Sequence, residues 1–209
     1  MAIASDLGVQ IPLTPEQLAE HSVRDHVMNG WVAMIVAVCN LVPLFLSDFQ
    51  GLTKVWQFPF LGISIYFFLH TEPDVKLKYG SWLRAWSDMP TYQHRLMTTG
   101  AIAGACTEIA LALFHVDVFL TRVLMPAGLV GAGIIFYAHH HGDEPTVLRE
   151  HNIMAFLFVL TGITWVFARE VSALAPLRFA WPILFGIEAY LFISYQEPVS
   201  VPPVNGHDH

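Results

Sequence analysis

Charged residues are scarce in this sequence. Asp, Glu, Lys and Arg make up 13% of the 209 residues, whereas a soluble domain carries roughly 25%. Apolar residues make up 55%, and the mean hydropathy is +0.51. Half the usual charge together with this apolar content indicates a membrane protein and argues against a soluble domain.

Other absences exclude several classes of function. The two cysteines, Cys39 and Cys106, lie in apolar runs, so we expect small buried side chains rather than a disulfide or a Cys-x-x-Cys metal site. The net charge is −7 and there is no run of Lys and Arg, which argues against nucleic acid as a partner. The sequence lacks a glycine-rich phosphate loop, a serine nucleophile elbow and a Cys-x-x-Cys-His haem attachment motif. No basic stretch precedes an apolar core near the N-terminus, so we expect no cleavable signal peptide.

Long apolar runs recur along the chain. Each approaches the roughly 20 residues that a helix needs to cross the bilayer. The runs are continuous rather than alternating, and an open sheet edge cannot stay unpaired in lipid, so helices are expected. The sequence therefore predicts an all-α, polytopic integral membrane protein, with the lipid bilayer as its partner. Its six transmembrane helices are predicted at about 27–46, 55–69, 97–114, 123–138, 152–168 and 178–195.

Two local signals accompany these runs. Thr14, Pro15 and Gln17 form the pattern of a capped helix start, so we expect a short helix that leads into the first run. Most tryptophans lie near the ends of the runs, as in the aromatic belts at membrane surfaces. We therefore expect an interfacial position for them; the six are Trp31, Trp56, Trp82, Trp86, Trp165 and Trp181.

The six runs fall into three pairs with the same marks in the same order, which indicates an internal repeat. A histidine opens each odd-numbered run, a proline follows in the even-numbered run after 33, 32 and 31 residues, and Glu-Pro closes each pair. We predict three repeated helical hairpins, at about 21–74, 92–145 and 146–198, in a single membrane domain over 1–198. A loose C-terminal tail at 199–209 follows. The marks are His26, Pro59 and Pro73; His94, Pro126 and Pro145; and His151, Pro182 and Pro198.

The hairpins divide the polar residues between two membrane faces. Both termini and the longer loops share one face, which carries ten of the eleven histidines, and the short turns share the other, which carries His115. Lys and Arg divide six to four in favour of the terminal face, but the turns are much shorter, so their density of basic residues is higher. The positive-inside rule then favours turns in the cytoplasm and the histidine-rich face and both termini outside.

Eight histidines cluster at the boundary of the terminal face, and imidazole is the commonest ligand of Zn, Cu and Fe. In a helical bundle, residues at one depth on neighbouring inward faces converge, as the ligands of bundle metal sites do. We therefore predict a transition-metal site, for Cu, Zn or Fe, at this face. Its predicted ligands are His26, His70, His94, His139, His141 and His151.

The triplet 139–141 is followed by Gly142, a residue typical of a helix end. An unwinding end would aim His139 and His141 the same way and His140 toward solvent. Asp143 and Glu144 are candidate oxygen ligands, or acceptors that orient an imidazole. The alternative is that these two acids cap the following helix, with Pro145 in its first turn.

Two carboxyl groups, Glu108 and Glu188, interrupt the apolar runs. An ionisable group in hydrocarbon costs a few kcal/mol and marks a candidate functional site. The rise per residue places Glu108 about 21 Å from His94 along its helix, too far for one metal shell. Two roles stay open: a proton relay, or packing as a neutral carboxyl bonded to a neighbour such as Thr107, Tyr190 or a backbone carbonyl.

Three stretches from Tyr92 onward resemble the eukaryotic transmembrane protein 45 family: YQHRLM at 92–97, IIFYAHHHG at 134–142 and EHNIMAFLFVLTG at 150–162. The resemblance covers about 92–198 and implies a multi-helix membrane fold with a histidine cluster, but no reaction. The chain has a single His94 where the family usually has a pair, and the acids at 143–144 depart from the family pattern. The residues that carry over are His94, His139, His141 and His151.

Several functions fit these features. The favoured hypothesis is an integral membrane protein that holds a transition metal, alone or as a subunit or accessory factor of a larger membrane complex. One alternative is a structural or assembly subunit without a metal. Others are a multi-histidine di-iron oxidoreductase, although the His-x-x-x-His and His-x-x-His-His spacings of membrane desaturases are absent, and an electron carrier with haem b held by two histidines. Whether the chain is an enzyme stays open.

Cysteine accessibility tests the orientation. In a chain without Cys39 and Cys106, Ser200→Cys is expected to react with an impermeant maleimide added outside the cell, because the termini face outward. Ser47→Cys is expected to react only after the membrane is permeabilised. Labelling of Ser47→Cys alone from outside would reverse the assignment.

Overall fold

The computed structural model describes residues 14–70, 89–138 and 145–196, and every regular element within these ranges is helical. Short 3₁₀ helices at Val42–Leu44 and Ser47–Lys54 connect the first two α-helices, and another at Ser172–Leu174 connects the last two. The all-α prediction is confirmed for the described residues. The α-helices are α1 (Pro15–Leu41), α2 (Gln57–His70), α3 (Met89–Phe114), α4 (Phe119–Tyr137), α5 (Pro145–Glu170) and α6 (Leu177–Ile193).

Most of the helical segments have the length and apolar content that a membrane span requires. The last helix, α6, has 17 residues, at the lower end of the range of about 17–25 residues for a spanning helix. Five helical segments of the described chain are long and apolar enough to cross a membrane: Ala19–Leu44, Ser47–His70, Thr91–Phe114, Phe119–Tyr137 and Pro145–Glu170.

The odd-numbered helices begin earlier than their apolar runs, by 12, 8 and 7 residues. Capping explains the first: the Thr14 side chain accepts a hydrogen bond from the Gln17 N–H at 3.3 Å, and the Thr14 N–H donates to Gln17 Oε1 at 2.9 Å. This capping box was predicted, but the helix it starts is continuous with the first apolar run instead of being a separate short helix. The early starts place His26, His94 and His151 inside helices rather than at their ends.

Each helix packs against the next one in the chain, and α6 packs back against α1, so the six helices form a closed ring. Sequential neighbours run antiparallel. The N-terminal ends of α1, α3 and α5 therefore lie with the C-terminal ends of α2, α4 and α6, and we call this the histidine end. The opposite end, with the turns at 42–56, 115–118 and 171–176, is the turn end.

Small residues allow the close approach of neighbouring helices, as is common in membrane bundles. A Cβ atom on Gly133 of α4 would lie 2.6 Å from the Ala155 carbonyl oxygen of α5, and one on Gly162 of α5 would overlap the Pro126 carbonyl oxygen of α4. A Cβ atom on Gly30 of α1 would lie 2.8 Å from the Ile193 side chain of α6. Glycine at these positions therefore allows the close contacts between α4 and α5 and between α1 and α6.

Side-chain burial differs from two expectations. Trp56, Trp165 and Trp181 lie near the turn end, but they are buried between helices, whereas belt residues face outward; the rings of Trp165 and Trp181 stack at 4.0 Å between centroids. Trp82 and Trp86 lie outside the described residues. Trp31 is exposed on the outside of α1. Both cysteines are free, and Cys39 is buried as expected, but Cys106 is exposed on α3. Which face of an apolar helix turns inward depends on its neighbours, because the helix is apolar on all sides.

Replacement of Gly162 by alanine tests the contact between α4 and α5. Gly162→Ala is expected to lower the melting temperature, because overpacking costs about 1–3 kcal/mol. The matched control is Gly131→Ala on α4, where the added Cβ meets open space. That change is expected to be neutral or stabilising, since alanine favours a helix by about 1 kcal/mol over glycine. Equal melting temperatures for the two variants in the same detergent would contradict the close contact.

Candidate functional site

Two predicted metal ligands meet at the histidine end. The rings of His26 on α1 and His151 on α5 have centroids 6.0 Å apart and planes inclined by 71°. The His151 side chain belongs to the core, with 2% of the residue exposed. Because α6 packs against both α1 and α5, the residues at its C-terminal end lie between the two histidine-bearing helices. The ring closure therefore brings together two histidines that are 125 residues apart in sequence.

Backbone hydrogen bonds orient these histidines. Nδ1 of His26 donates to the Ser22 carbonyl oxygen at 2.8 Å, and Nδ1 of His151 donates to the Val147 carbonyl oxygen at 2.9 Å. A carbonyl oxygen can only accept, so Nδ1 carries the proton, and in a neutral ring Nε2 keeps the lone pair. Metal-bound histidines are held in the same way, with one ring nitrogen donating to a carbonyl and the other available to the ion.

Aromatic side chains hold both imidazole rings. Tyr195, just after α6, stacks on His26 at 4.1 Å between centroids, and Phe136 of α4 stacks on His151 at 4.7 Å. Phe192 lies 5.6 Å from the His26 ring. These contacts restrict the rotation of the two imidazoles. They also mean that the rings fill space in the core whether or not an ion is bound.

Further polar groups surround this pair. Asp25, next to His26 in the chain, is almost fully buried, with Oδ2 3.2 Å from Nδ1 of His21 and Oδ1 3.4 Å from Nη2 of Arg24. His94 of α3 lies within electrostatic reach of the Asp25 carboxyl group, and both residues line the central cavity together with His26. The structure thus places His26, His94 and His151 at the same end of the ring.

Among the remaining predicted ligands, the structure describes the position of His70 only. His70 is exposed at the end of α2, where its ring stacks on Tyr66 at 4.7 Å. The segment with His139, His141, Asp143 and Glu144 lies outside the described residues, so the approach of its histidines to His94 and His151 stays a prediction. Within 14–70, 89–138 and 145–196, no three His, Cys, Asp or Glu side chains are arranged to hold a metal ion.

Glu108 has a partner that sequence analysis did not consider. Nη1 and Nη2 of Arg169 donate to Oε1 and Oε2 of Glu108 at 2.5 and 2.8 Å, a bidentate ion pair between α3 and α5 near the turn end. Nη1 of Arg169 also donates to the Arg122 carbonyl oxygen of α4 at 3.2 Å. The partner was missed because α3 and α5 are not consecutive, and nothing in the local pattern indicates that Arg169 reaches across α4.

Glu188 is in a different position. It is fully buried in the middle of α6, and no group in the described ranges forms a hydrogen bond with either carboxyl oxygen. Phe185 and Phe192, three residues before it and four residues after it, line the central cavity, so Glu188 lies on the same side of α6 as the cavity. A carboxylate without a partner is very costly to bury, so the neutral acid is the form expected here.

Comparison with known proteins assigns no family. No protein-family model matches the chain, and no solved structure matches it. Its function is therefore inferred from the chemistry of the histidine end.

The ion pair between Arg169 and Glu108 predicts how charge-removing substitutions change the stability of the fold. Arg169→Gln is expected to destabilise the fold, because it leaves the buried Glu108 carboxyl group without its partner. Loss of one partner from a fully buried ion pair costs about 3–5 kcal/mol, and the partial exposure of Arg169 lowers this cost. Glu108→Gln is expected to act in the same direction. The double variant should melt at a higher temperature than Arg169→Gln alone, since it leaves no uncompensated charge. Additive losses in thermal unfolding would contradict a direct pairing.

A hydrophobic carbodiimide distinguishes the two buried carboxyl groups. Such reagents add to a protonated carboxyl group in apolar surroundings, so Glu188 is expected to be modified and the ion-paired Glu108 spared. Peptide mass spectrometry after treatment of the protein in membranes locates the adduct, and Glu188→Gln is the control that should abolish it. Modification of Glu108 with Glu188 unmodified would contradict this assignment.

Proposed function

We propose that the chain is an integral membrane protein that crosses the bilayer six times as three hairpins. Support comes from the length of the apolar helices and from their outward side chains. A water-soluble protein rarely exposes so much large apolar surface, whereas lipid accepts it without cost. The apolar residues that are more than half exposed include Trp31, Phe45, Phe114, Phe119, Ile134, Phe156 and Tyr190.

We propose further that the histidine end binds a transition metal ion, Cu, Zn or Fe, through His26 and His151. The observation that carries this proposal is the ring pair at 6.0 Å in which both Nδ1 atoms donate to backbone carbonyls. Two imidazoles bound to one ion at about 2.0–2.1 Å have centroids roughly 5–6 Å apart, so the separation of the two rings is close to that of a pair that shares one ion.

Other ligands would come from the same end of the ring. His94 lies near Asp25 there, and its neighbour Gln93 donates from Nε2 to the Ala138 carbonyl oxygen at 3.4 Å. His139 and His141 follow Ala138 by one and three residues. They are proposed as further ligands on this ground and on the resemblance to the transmembrane protein 45 family. Asp143 and Glu144 are proposed as acceptors that orient these rings.

A second candidate function is a structural or assembly subunit of a membrane complex that binds no metal. The stacking of His26 on Tyr195 and of His151 on Phe136 favours it, because aromatic packing alone accounts for the burial of both rings. The two functions differ in one measurable property, the metal content of the folded protein.

Metal analysis of the purified protein separates the candidates. After loading with Zn²⁺, Cu²⁺ or Fe²⁺ in turn, the chain is expected to retain one of these ions in equimolar amount. His26→Ala and His151→Ala should each lower the affinity at least tenfold, because each removes a ligand. An absorption spectrum of the protein as isolated tests the haem alternative, because bound haem would give a Soret band.

His70→Ala is the matched control, since this exposed ring stacks on Tyr66 away from the pair. It should retain the ion, and so should His140→Ala. Elution as a single folded species in gel filtration establishes that the alanine variants keep the fold. Absence of bound metal in the unmodified chain would replace the metal proposal with the structural subunit.

A further inference from the structure

A cavity of about 160 Å³ lies inside the ring, and all six helices contribute to its lining. An apolar cavity of about this size accommodates a molecule as large as benzene. Most of the wall is apolar, from Ala33 and Ala101 to Met125 and Leu129. Six phenylalanines provide much of that wall: Phe60, Phe67, Phe136, Phe158, Phe185 and Phe192.

The polar part of the lining lies on α1, α2 and α3, at the middle of these helices or nearer the histidine end. Its members are Asp25, His26, Asn29, Ser64, His94 and Thr98. The rest of the lining is apolar and comes from all six helices. The cavity therefore combines a polar end, formed by these residues, with apolar walls.

Hydrogen bonding makes the polar end mainly an acceptor surface. The Ser64 hydroxyl donates its proton to the Phe60 carbonyl oxygen at 2.7 Å, and the Thr98 hydroxyl donates to the His94 carbonyl oxygen at 2.9 Å. Each hydroxyl keeps lone pairs that can accept from another group. The Asp25 carboxylate has about four acceptor sites, of which His21 and Arg24 occupy two. Asn29 adds an amide that can both donate and accept.

We propose that this cavity binds one small apolar molecule, of about six to nine non-hydrogen atoms, that carries a hydrogen-bond donor at the Asp25 end. The donor is a hydroxyl or an ammonium group, since both match the acceptors of Asp25, Ser64 and Thr98. The apolar body of the ligand contacts the phenylalanine wall, where aromatic rings pack well against each other. This binding site stands on the shape and lining of the cavity and does not depend on a bound metal ion.

Fluorinated probes of similar size test the proposal by ¹⁹F NMR titration of the full chain in nanodiscs. 4-Fluorophenol or 4-fluorobenzylamine is expected to bind saturably, with one molecule per chain, and the tighter of the two identifies the donor. 4-Fluorotoluene lacks a donor and is expected to bind at least tenfold more weakly, because it leaves buried acceptors without partners. Saturable binding of none of the three would overturn the proposal, and so would equal affinity for all three.

Paired substitutions on α4 distinguish the cavity from the surrounding lipid. Ala132 lines the cavity, and Ala127 is exposed on the outside of the same helix. Ala132→Leu is expected to weaken binding of the preferred probe at least tenfold, whereas Ala127→Leu leaves it unchanged. Undiminished binding to a folded Ala132→Leu variant would mean that the probe binds elsewhere.

Ser64→Ala removes one hydrogen-bond acceptor without filling the cavity. It provides a second test of the proposal if the Ala132→Leu variant does not fold. It is expected to reduce the preference for the donor-bearing probe over 4-fluorotoluene at least threefold. An unchanged preference would contradict the assignment of the polar end.

Discussion

The close approach of neighbouring helices controls how the histidine end is assembled. Gly133 and Gly162 let α4 and α5 come together until a Cβ atom no longer fits, and this approach brings Phe136 onto the ring of His151. Gly30 does the same for α1 and α6, where Tyr195 then stacks on His26. The two histidines meet because both contacts are tight at once. Van der Waals packing of this kind is the main force between helices in an apolar solvent, where burial of apolar surface drives little association.

The polar groups at the two ends of the ring differ in their bonding partners. At the turn end, Arg169 and Glu108 neutralise each other in a bidentate pair that joins α3 to α5 and leaves little capacity for a ligand. At the histidine end, Nδ1 of His26 and Nδ1 of His151 each donate to a backbone carbonyl group, and His26 also lines the cavity. The Arg169–Glu108 ion pair and the histidine pair are thus separated by the length of the helices. This separation supports a binding function at the histidine end.

Sequence analysis located the helices and the helix start at Thr14, because both depend on short-range features: continuous apolar character, and a side chain that bonds three residues ahead. It also selected His26 and His151 as candidate ligands and Glu188 as a candidate functional residue, since a polar residue within or beside an apolar run is visible in the sequence. It did not identify Arg169 as the partner of Glu108, nor Tyr195 and Phe136 as the residues that hold the two histidines. Those pairings join helices that are far apart in the chain.

The sequence by itself determined that this protein is built from apolar helices with histidines near one end, because hydrophobic content and helix length are properties of each segment alone. Only the tertiary structure decided which side of each helix faces inward. These helices are apolar all round, so their periodicity contains little information about facing, and Trp165 turned into the core while Trp31 stayed outside. The order of helices around the ring likewise decided which histidines meet and where the cavity lies, since both depend on contacts between distant segments.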